Sequence, residues 1–318
     1  MPIRDFMDGS EVEALLLVRE VETRRKRDGA EYLRIVLGDR TGTVPAIVWD
    51  DVDHVRAICA PGTAVAVSGR YQVHARYGPQ LALASLRAAE PGEAHSDELT
   101  DGPPRAPAQM ETDLRALLDT IQNRHLQALL ERIFGADSEL WTRYRDAPAA
   151  KYYHQAYRHG LLEHSLTVAQ AVSAISATFP GIDRDVAVTG ALLHDIGKLD
   201  AYHAENGVID LTDSGRLQSE IPLGYYRVRR EIEELSEFPP DLAQAVLHII
   251  LSHHGQLEHG SPVVPCTREA TLVHMIDNLG GRLGSFDRLE KELPQGAQWS
   301  AFDRALGSGA YFAAREAA

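Results

Sequence analysis

The chain has 318 residues, 44% of them hydrophobic, only two cysteines, and a formal charge of −14. That is enough apolar material for two cores, too little cysteine for a disulfide scaffold or a zinc ribbon, and too much negative charge for a sequence-specific reader of duplex DNA. No window approaches a membrane span, and the first residues, with Asp5 and Asp8, carry no apolar signal run, so a cytoplasmic protein with no membrane partner is expected.

Residues 1–90 read as a small all-β unit. Ala14 to Glu22 alternates loosely and Glu31 to Leu37 alternates well; Thr43 to Trp49 and Thr63 to Val73 continue as short strands set apart by Gly, Asp and Pro. Asp39-Arg40-Thr41-Gly42-Thr43 predicts a tight turn between two of them. Five strands in so short a span predict a Greek-key barrel, and the OB-fold is the expected small form. OB barrels hold single strands by combining a basic groove with aromatic platforms. The candidates are Arg24, Arg25, Lys26 and Arg27 in a turn, Arg34, Arg70 and Arg76 on strands, and Tyr32, Trp49, Tyr71 and Tyr77 as stacking faces. A basic run of this length is equally an ordinary solvated hairpin tip, and Trp49 or Tyr71 equally barrel core. Residues 1–90 sum to −1, so the acidity of the chain lies beyond them.

Residues 91–110, rich in Pro, Gly and acidic side chains, are expected to link the barrel to a helical unit over 111–318. Glu111 to Phe134 reads as one helical stripe with Leu114, Leu117, Leu118, Ile121, Leu129 and Ile133 on its buried side. Four later helical rows each carry a polar side chain among apolar neighbours. His164 lines up with Val168, Ala171 and Ile175. The pair His194-Asp195 ends the run that starts at Gly190 and continues rows through Ala187, Ala191, Val188 and Leu192. A third helix, expected after Pro239-Pro240 with Asp241 as its cap, carries Leu242, Val246, Ile249 and His253 and stops before Gly255. A fourth, from Arg268 to Leu283, carries Ala270, Val273, Asp277 and Gly281. Imidazoles and carboxylates placed among aliphatic side chains cost several kcal/mol each to desolvate, roughly, unless something satisfies them, and a divalent cation does so directly. The plainer alternative is that each is hydrogen-bonded separately; that is the reading for His54, His74, His95 and His125. The aromatic tail with Trp299, Phe302, Tyr311 and Phe312 is expected to dock on the rest.

The order His164, His194-Asp195, Asp277 resembles the HD-domain metal-dependent phosphohydrolases. Longer strings narrow the likeness: His154-Gln155-Ala156-Tyr157 leading into Gly160-Leu161-Leu162-Glu163-His164-Ser165-Leu166, then Leu251-Ser252-His253-His254-Gly255 with Gly260-Ser261-Pro262, then His274-Met275-Ile276-Asp277-Asn278-Leu279. These resemble the YhaM-type 3′-to-5′ exoribonucleases from about Val12 to Leu283. The resemblance implies an OB-fold ahead of an HD domain, single-stranded RNA as partner with single-stranded DNA as a second candidate, and a divalent cation, Mn2+ ahead of Mg2+, Fe2+ or Co2+. It implies metal ligands at His164, His194, Asp195, His253, His254 and Asp277, catalytic roles for Asp195 and Lys198, and substrate contacts at His154 and Tyr225. Two positions depart from the pattern. Tyr225 follows Leu223-Gly224 where the family has a histidine of its second metal site, and Gln155 stands where it has another histidine. A phenol with a pKa near ~10 is a poor ligand at neutral pH, so one firm ion on His164, His194, Asp195 and Asp277 is expected, with a weaker one near His253 and His254.

Such a centre supports phosphoester hydrolysis. The competing readings are an HD-type nucleotide phosphohydrolase and a nucleic-acid-binding protein whose HD site is weakened at Tyr225. Against a cyclic-dinucleotide enzyme, Gly255-Gln256-Leu257-Glu258 follows His253-His254 in place of a Gly-Tyr-Pro signature.

Overall fold

The computed structural model of the chain describes all residues except 27, 75–76, 91, 94–98, 100–101, 152–154, 206–207, 292, 294–295 and 314–318. Arg27, Arg76, His95 and His154 therefore lie outside the described residues.

The N-terminal unit is a closed barrel of β1 (Glu11–Arg25), β2 (Glu31–Asp39), β3 (Gly42–Val48), β4 (Ala64–His74) and β5 (Gly78–Ala88), with α1 (Val52–Ile58) between β3 and β4. The strand order β1-β2-β3-β5-β4, closed by β1 on β4 and by a parallel contact of β3 with β5, is that of the expected OB-fold. Strand β5, which carries Leu81, Leu83 and Leu86 and was not among the named expected strands, supplies the closure. Period-two alternation fills the interior: Leu33, Ile35 and Leu37 of β2 and Val44 and Ala46 of β3 are buried, which turns Tyr32 and Arg34 to the opposite face. The expected turn at Asp39 forms because Asp39 Oδ1 accepts from the Thr41 and Gly42 backbone N–H groups at 2.6 and 3.1 Å, while its Oδ2 accepts from Ile3 N–H at 2.7 Å.

Beyond the barrel lie α2 (Pro107–Leu118), α3 (Arg124–Phe134), α4 (Glu139–Asp146), α5 (Gly160–Ser176), α6 (Arg184–Leu193) and α7 (Lys198–Ala201). The hairpin β6 (Tyr202–Glu205) with β7 (Val208–Leu211) follows, then α8 (Asp213–Gln218), α9 (Glu220–Glu233), α10 (Pro240–Ser252) and α11 (Arg268–Lys291). Two sequence expectations are corrected. The 111–134 stripe is two helices, because Asn123 caps a fresh start by accepting from His125 and Leu126 N–H. Within the helical unit the short strands β6 and β7 pair in register as a hairpin. Asp241 is not the cap of its helix: Pro239 holds that position and Pro240 the first turn, where a missing N–H costs nothing. Helix α11 also runs two turns past Leu283.

The core of this unit gathers Leu161, Leu192, Val246, Ile249 and Val273 from α5, α6, α10 and α11, the helices that carry the polar rows. Tyr144 of α4 donates its hydroxyl to the Leu192 carbonyl at 2.7 Å, tying α4 to the end of α6. Among the described residues no helix is long and apolar enough to cross a membrane.

Candidate metal centre

Helix α6, capped by Asp183 on Val186 N–H, ends at His194, and the chain then turns tightly into α7. That turn presents Asp195 and, three residues on, Lys198. Helix α5 brings His164 to the same point, the end of α10 brings His253 and His254, and α11 brings Asp277. His164 Nε2 lies 3.1 Å from Asp277 Oδ1, 3.3 Å from Asp195 Oδ2 and 3.1 Å from His194 Nε2. His194 Nε2 is 3.4 Å from Asp195 Oδ2 and 3.8 Å from Asp277 Oδ1. The other oxygen of Asp195, Oδ1, faces His253 Nε2 at 3.5 Å. Two overlapping sets result, His164/His194/Asp277 and His194/Asp195/His253, each with its donor atoms within 4.8 Å of one another.

The backbone decides which imidazole nitrogen is offered. Nδ1 of His194, His253 and His254 sits 2.7 to 2.8 Å from the carbonyls of Ala191, Ile250 and His259. A carbonyl only accepts, so each Nδ1 carries a hydrogen and each neutral ring presents its Nε2 lone pair inward. Gln155 does the same for His164, its Oε1 standing 3.1 Å from Nδ1. The glutamine that departs from the family pattern thus orients a ligand. A left-handed Gln155, φ 61°, gives it that reach. Likewise Gly255, φ 78°, lets the chain turn directly over the His274 ring, whose Nδ1 donates to the His253 carbonyl at 2.7 Å.

The Nε2 atoms of His164 and His194 stand 3.1 Å apart, a contact that a proton on one of them or a cation between them satisfies. Burial opposes charge on His194, but Asp195 and then Asp277 more than offset it and raise its pKa. Burial likewise pushes Asp195 upward, against which Lys198, 2.5 Å from Oδ2, and His194 hold it well below the ordinary carboxylate range. Asp277 is held low in the same way, against burial, chiefly by His164. Asp195 Oδ1 and His253 Nε2 are nonetheless buried with no hydrogen-bond partner among the described residues. Two imidazoles, two carboxylates and two orphaned atoms fit a borderline or hard divalent cation. Asp277 and Lys198 are the more exposed of these side chains, at 17% and 15%, against 2% for Asp195.

One carboxylate of this region had no signal in the sequence. Glu220 begins α9, and its Oε1 stands 3.9 Å from His254 Nε2. It is held there because α9 crosses the His194-Asp195 turn without clearance: a Cβ on Gly197 would meet the Glu220 carbonyl oxygen at 1.9 Å and Gly224 N at 2.4 Å. Tyr225, the residue after Gly224, packs against the helical core.

On the barrel, Tyr32 and Trp49 stack, ring centroids 4.7 Å apart, and Lys26 Nζ lies 5.1 Å from the Trp49 ring centre. Trp49 is 52% exposed, whereas Tyr71 packs edge-on against Phe6 at the core. The arginines there are engaged: Arg24 with Glu22, Arg25 with Glu31, Arg34 with Glu20 and Glu22, and Arg70 with the Gly9 carbonyl.

The fold and the ligand set define a class. Residues 161–281 match the family model described as HD domain, so an HD domain follows an OB barrel. More particularly, the chain is similar to 3′-5′ exoribonuclease YhaM of Geobacillus sp. (strain WCH70), 29% identical over 290 residues covering 90% of this chain and 87% of that one. It is similar also to 3′-5′ exoribonuclease YhaM of Bacillus subtilis (strain 168), 28% identical over 288 residues covering 90% of both. The likeness that the motifs implied is one of whole-chain extent. Among solved structures, the S. cerevisiae mitochondrial single-stranded DNA binding protein Rim1 aligns with 27% of this chain and 99% of its own, at 13% identity and a TM-score of 0.24.

Proposed function

We propose that the chain is a metal-dependent 3′-to-5′ exoribonuclease that trims single-stranded RNA. The observation that carries this reading is that the Nε2 atoms of His164 and His194 each lie within 3.8 Å of both Asp195 and Asp277, in a chain that aligns with exoribonucleases over nine-tenths of its length. A bound cation lowers the pKa of its water and offsets charge on a phosphoryl oxygen. The four side chains would hold it, with Gln155 and the Ala191 carbonyl fixing the imidazoles. Lys198, beside Asp195 and 15% exposed, would meet a non-bridging phosphate oxygen with its ammonium. Asp277, the more exposed carboxylate, marks the side from which a strand end enters. The stacked pair Tyr32 and Trp49 holds unpaired bases on the barrel, Lys26 adding charge beside them. Mn2+ as the native ion and a cytoplasmic location belong to the same proposal; for the location, the support is a chain whose two cysteines are both free.

The test is incubation of the protein and Mn2+ with a 5′-labelled oligoribonucleotide. A ladder of shortened products is expected, lost in His194→Ala and Asp195→Ala. Retarded but intact RNA would replace the reading with a binding protein, and no interaction at all with a nucleotide phosphohydrolase.

A further inference from the structure

Helix α5 buries a second polar side chain directly before His164. Glu163 is 6% exposed, and a glutamate is almost never buried this deeply without a specific partner. Here the Tyr157 hydroxyl donates to Glu163 Oε2 at 2.5 Å. The bond reaches back from the first turn of α5 to the segment that carries Gln155, two residues before Tyr157.

That segment is held in a shape it would not adopt alone. Gln155 and His159 are both left-handed, at φ 61° and 70°, conformations that residues with a side chain keep only where the surroundings impose them. The Gln155 carbonyl accepts from Ala149 N–H at 3.1 Å and passes so close over Gly160 that a Cβ there would meet it at 2.0 Å. At the other end the Arg145 carbonyl accepts from His159 Nδ1 at 2.8 Å. Between these two anchors the Tyr157 hydroxyl ties the segment to α5, and Gln155 Oε1 stands 3.1 Å from His164 Nδ1.

We infer that Glu163 is a positioning residue for the metal centre: through Tyr157 it locks residues 155–159 onto α5, so that Gln155 holds the His164 ring with Nε2 inward. The line of contact runs from Glu163 Oε2 through the Tyr157 hydroxyl and the backbone to Gln155 Oε1 and His164 Nδ1. An imidazole free to turn offers Nε2 to an ion only part of the time, and partners that hold such a ring tune affinity by about 10–100-fold. The inference rests on the cation site of the proposed function and adds to it a residue outside the ligand set; it does not depend on RNA as the substrate.

The full-length chain, isotopically labelled at the histidine nitrogens, reports the His164 Nδ1 proton by nuclear magnetic resonance, and equilibrium dialysis against Mn2+ reports affinity for the ion. In the parent chain that proton should exchange slowly with water. Tyr157→Phe, which removes only the hydroxyl, should speed the exchange and weaken Mn2+ binding, each by about tenfold. Glu163→Gln, whose amide oxygen still accepts from Tyr157, should stay within about twofold of the parent, whereas Glu163→Ala should match Tyr157→Phe. On a Gln155→Leu background, Tyr157→Phe should change Mn2+ affinity by less than about twofold, because the two act along one line. Parental exchange and parental affinity in Tyr157→Phe would overturn the inference, and so would a loss that adds in full to that of Gln155→Leu, the mark of a merely structural bond. Should the Glu163 variants misfold, Tyr157→Phe decides, alone and with Gln155→Leu. A chain that shows this coupling yet leaves RNA intact keeps the inference and loses the exoribonuclease reading; one that cuts RNA while Tyr157→Phe matches the parent in both readouts does the reverse.

Discussion

Asp195 is the hub of the candidate centre, because its two oxygens serve different neighbours. Oδ2 meets Lys198, His164 and His194, while Oδ1 faces His253. Lys198 is the counter-charge to Asp195 and, in the proposed function, also a phosphate contact; a single substitution separates the two. Lys198→Met should lower kcat on an oligoribonucleotide by about 10²–10³-fold, with KM moving less and bound metal retained. Loss of the metal would reduce Lys198 to a structural counter-ion; kcat, KM and metal content measured together check this. The meeting of His164, His194, Asp195 and Asp277 was legible in the sequence because each interrupts an apolar helical row, and such an interruption demands a partner. The place of Glu220 beside His254 was not: it opens a helix after Ser219, which takes φ 65°, and belongs to no row. Nor was the orienting role of Gln155, which depends on a left-handed backbone that its sequence neighbours do not dictate.

At the level of elements, the active turn is framed by an ion-pair hub. Asp200 of α7 accepts from Arg227 of α9 at 2.5 to 3.0 Å and from Arg143 of α4 at 3.1 Å, tying three helices together beside Lys198. Burial alone would raise the pKa of Asp200, but Arg227 and then Arg143 hold it below the ordinary value of 3.8. A carboxylate depressed in the folded state stabilises above its unfolded pKa, and that contribution is lost as pH falls through the folded value. The stability gap between the parent and Asp200→Asn should therefore stay constant above about pH 5 and close below about pH 4; urea denaturation at several pH values measures it. The elements themselves divided by the strength of their pattern. The ligand helices and β1 to β4 were visible as periodic runs. The hairpin 202–211 escaped because four-residue strands are too short to show a period. The break at 119–123 escaped because the apolar spacing continues through Ile121, and only the cap at Asn123 marks a new helix.

For the molecule as a whole, charge and architecture point to a grip made by stacking. The barrel is near neutral, and Arg24, Arg25 and Arg34 are spent on Glu22, Glu31 and Glu20. Binding of single-stranded RNA should then depend only shallowly on salt, with a log-log slope of about −2 or less in magnitude. Trp49→Ala should weaken binding by about 1–3 kcal/mol. Fluorescence anisotropy across a KCl series reads both; a steep slope with no effect of Trp49→Ala would move the grip to phosphate contacts.

The barrel core, centred on Leu16, Leu33, Ile35 and Leu81, and the helical core, centred on Leu161, Leu192 and Val273, share no residue among those described. Heat should therefore disassemble the chain in separate steps rather than one, and a single melting temperature will not describe it. In scanning calorimetry, added Mn2+ should carry one endotherm upward while the other stays where it was. The immobile peak belongs to the barrel, which makes the thermogram itself a map of where the ion resides.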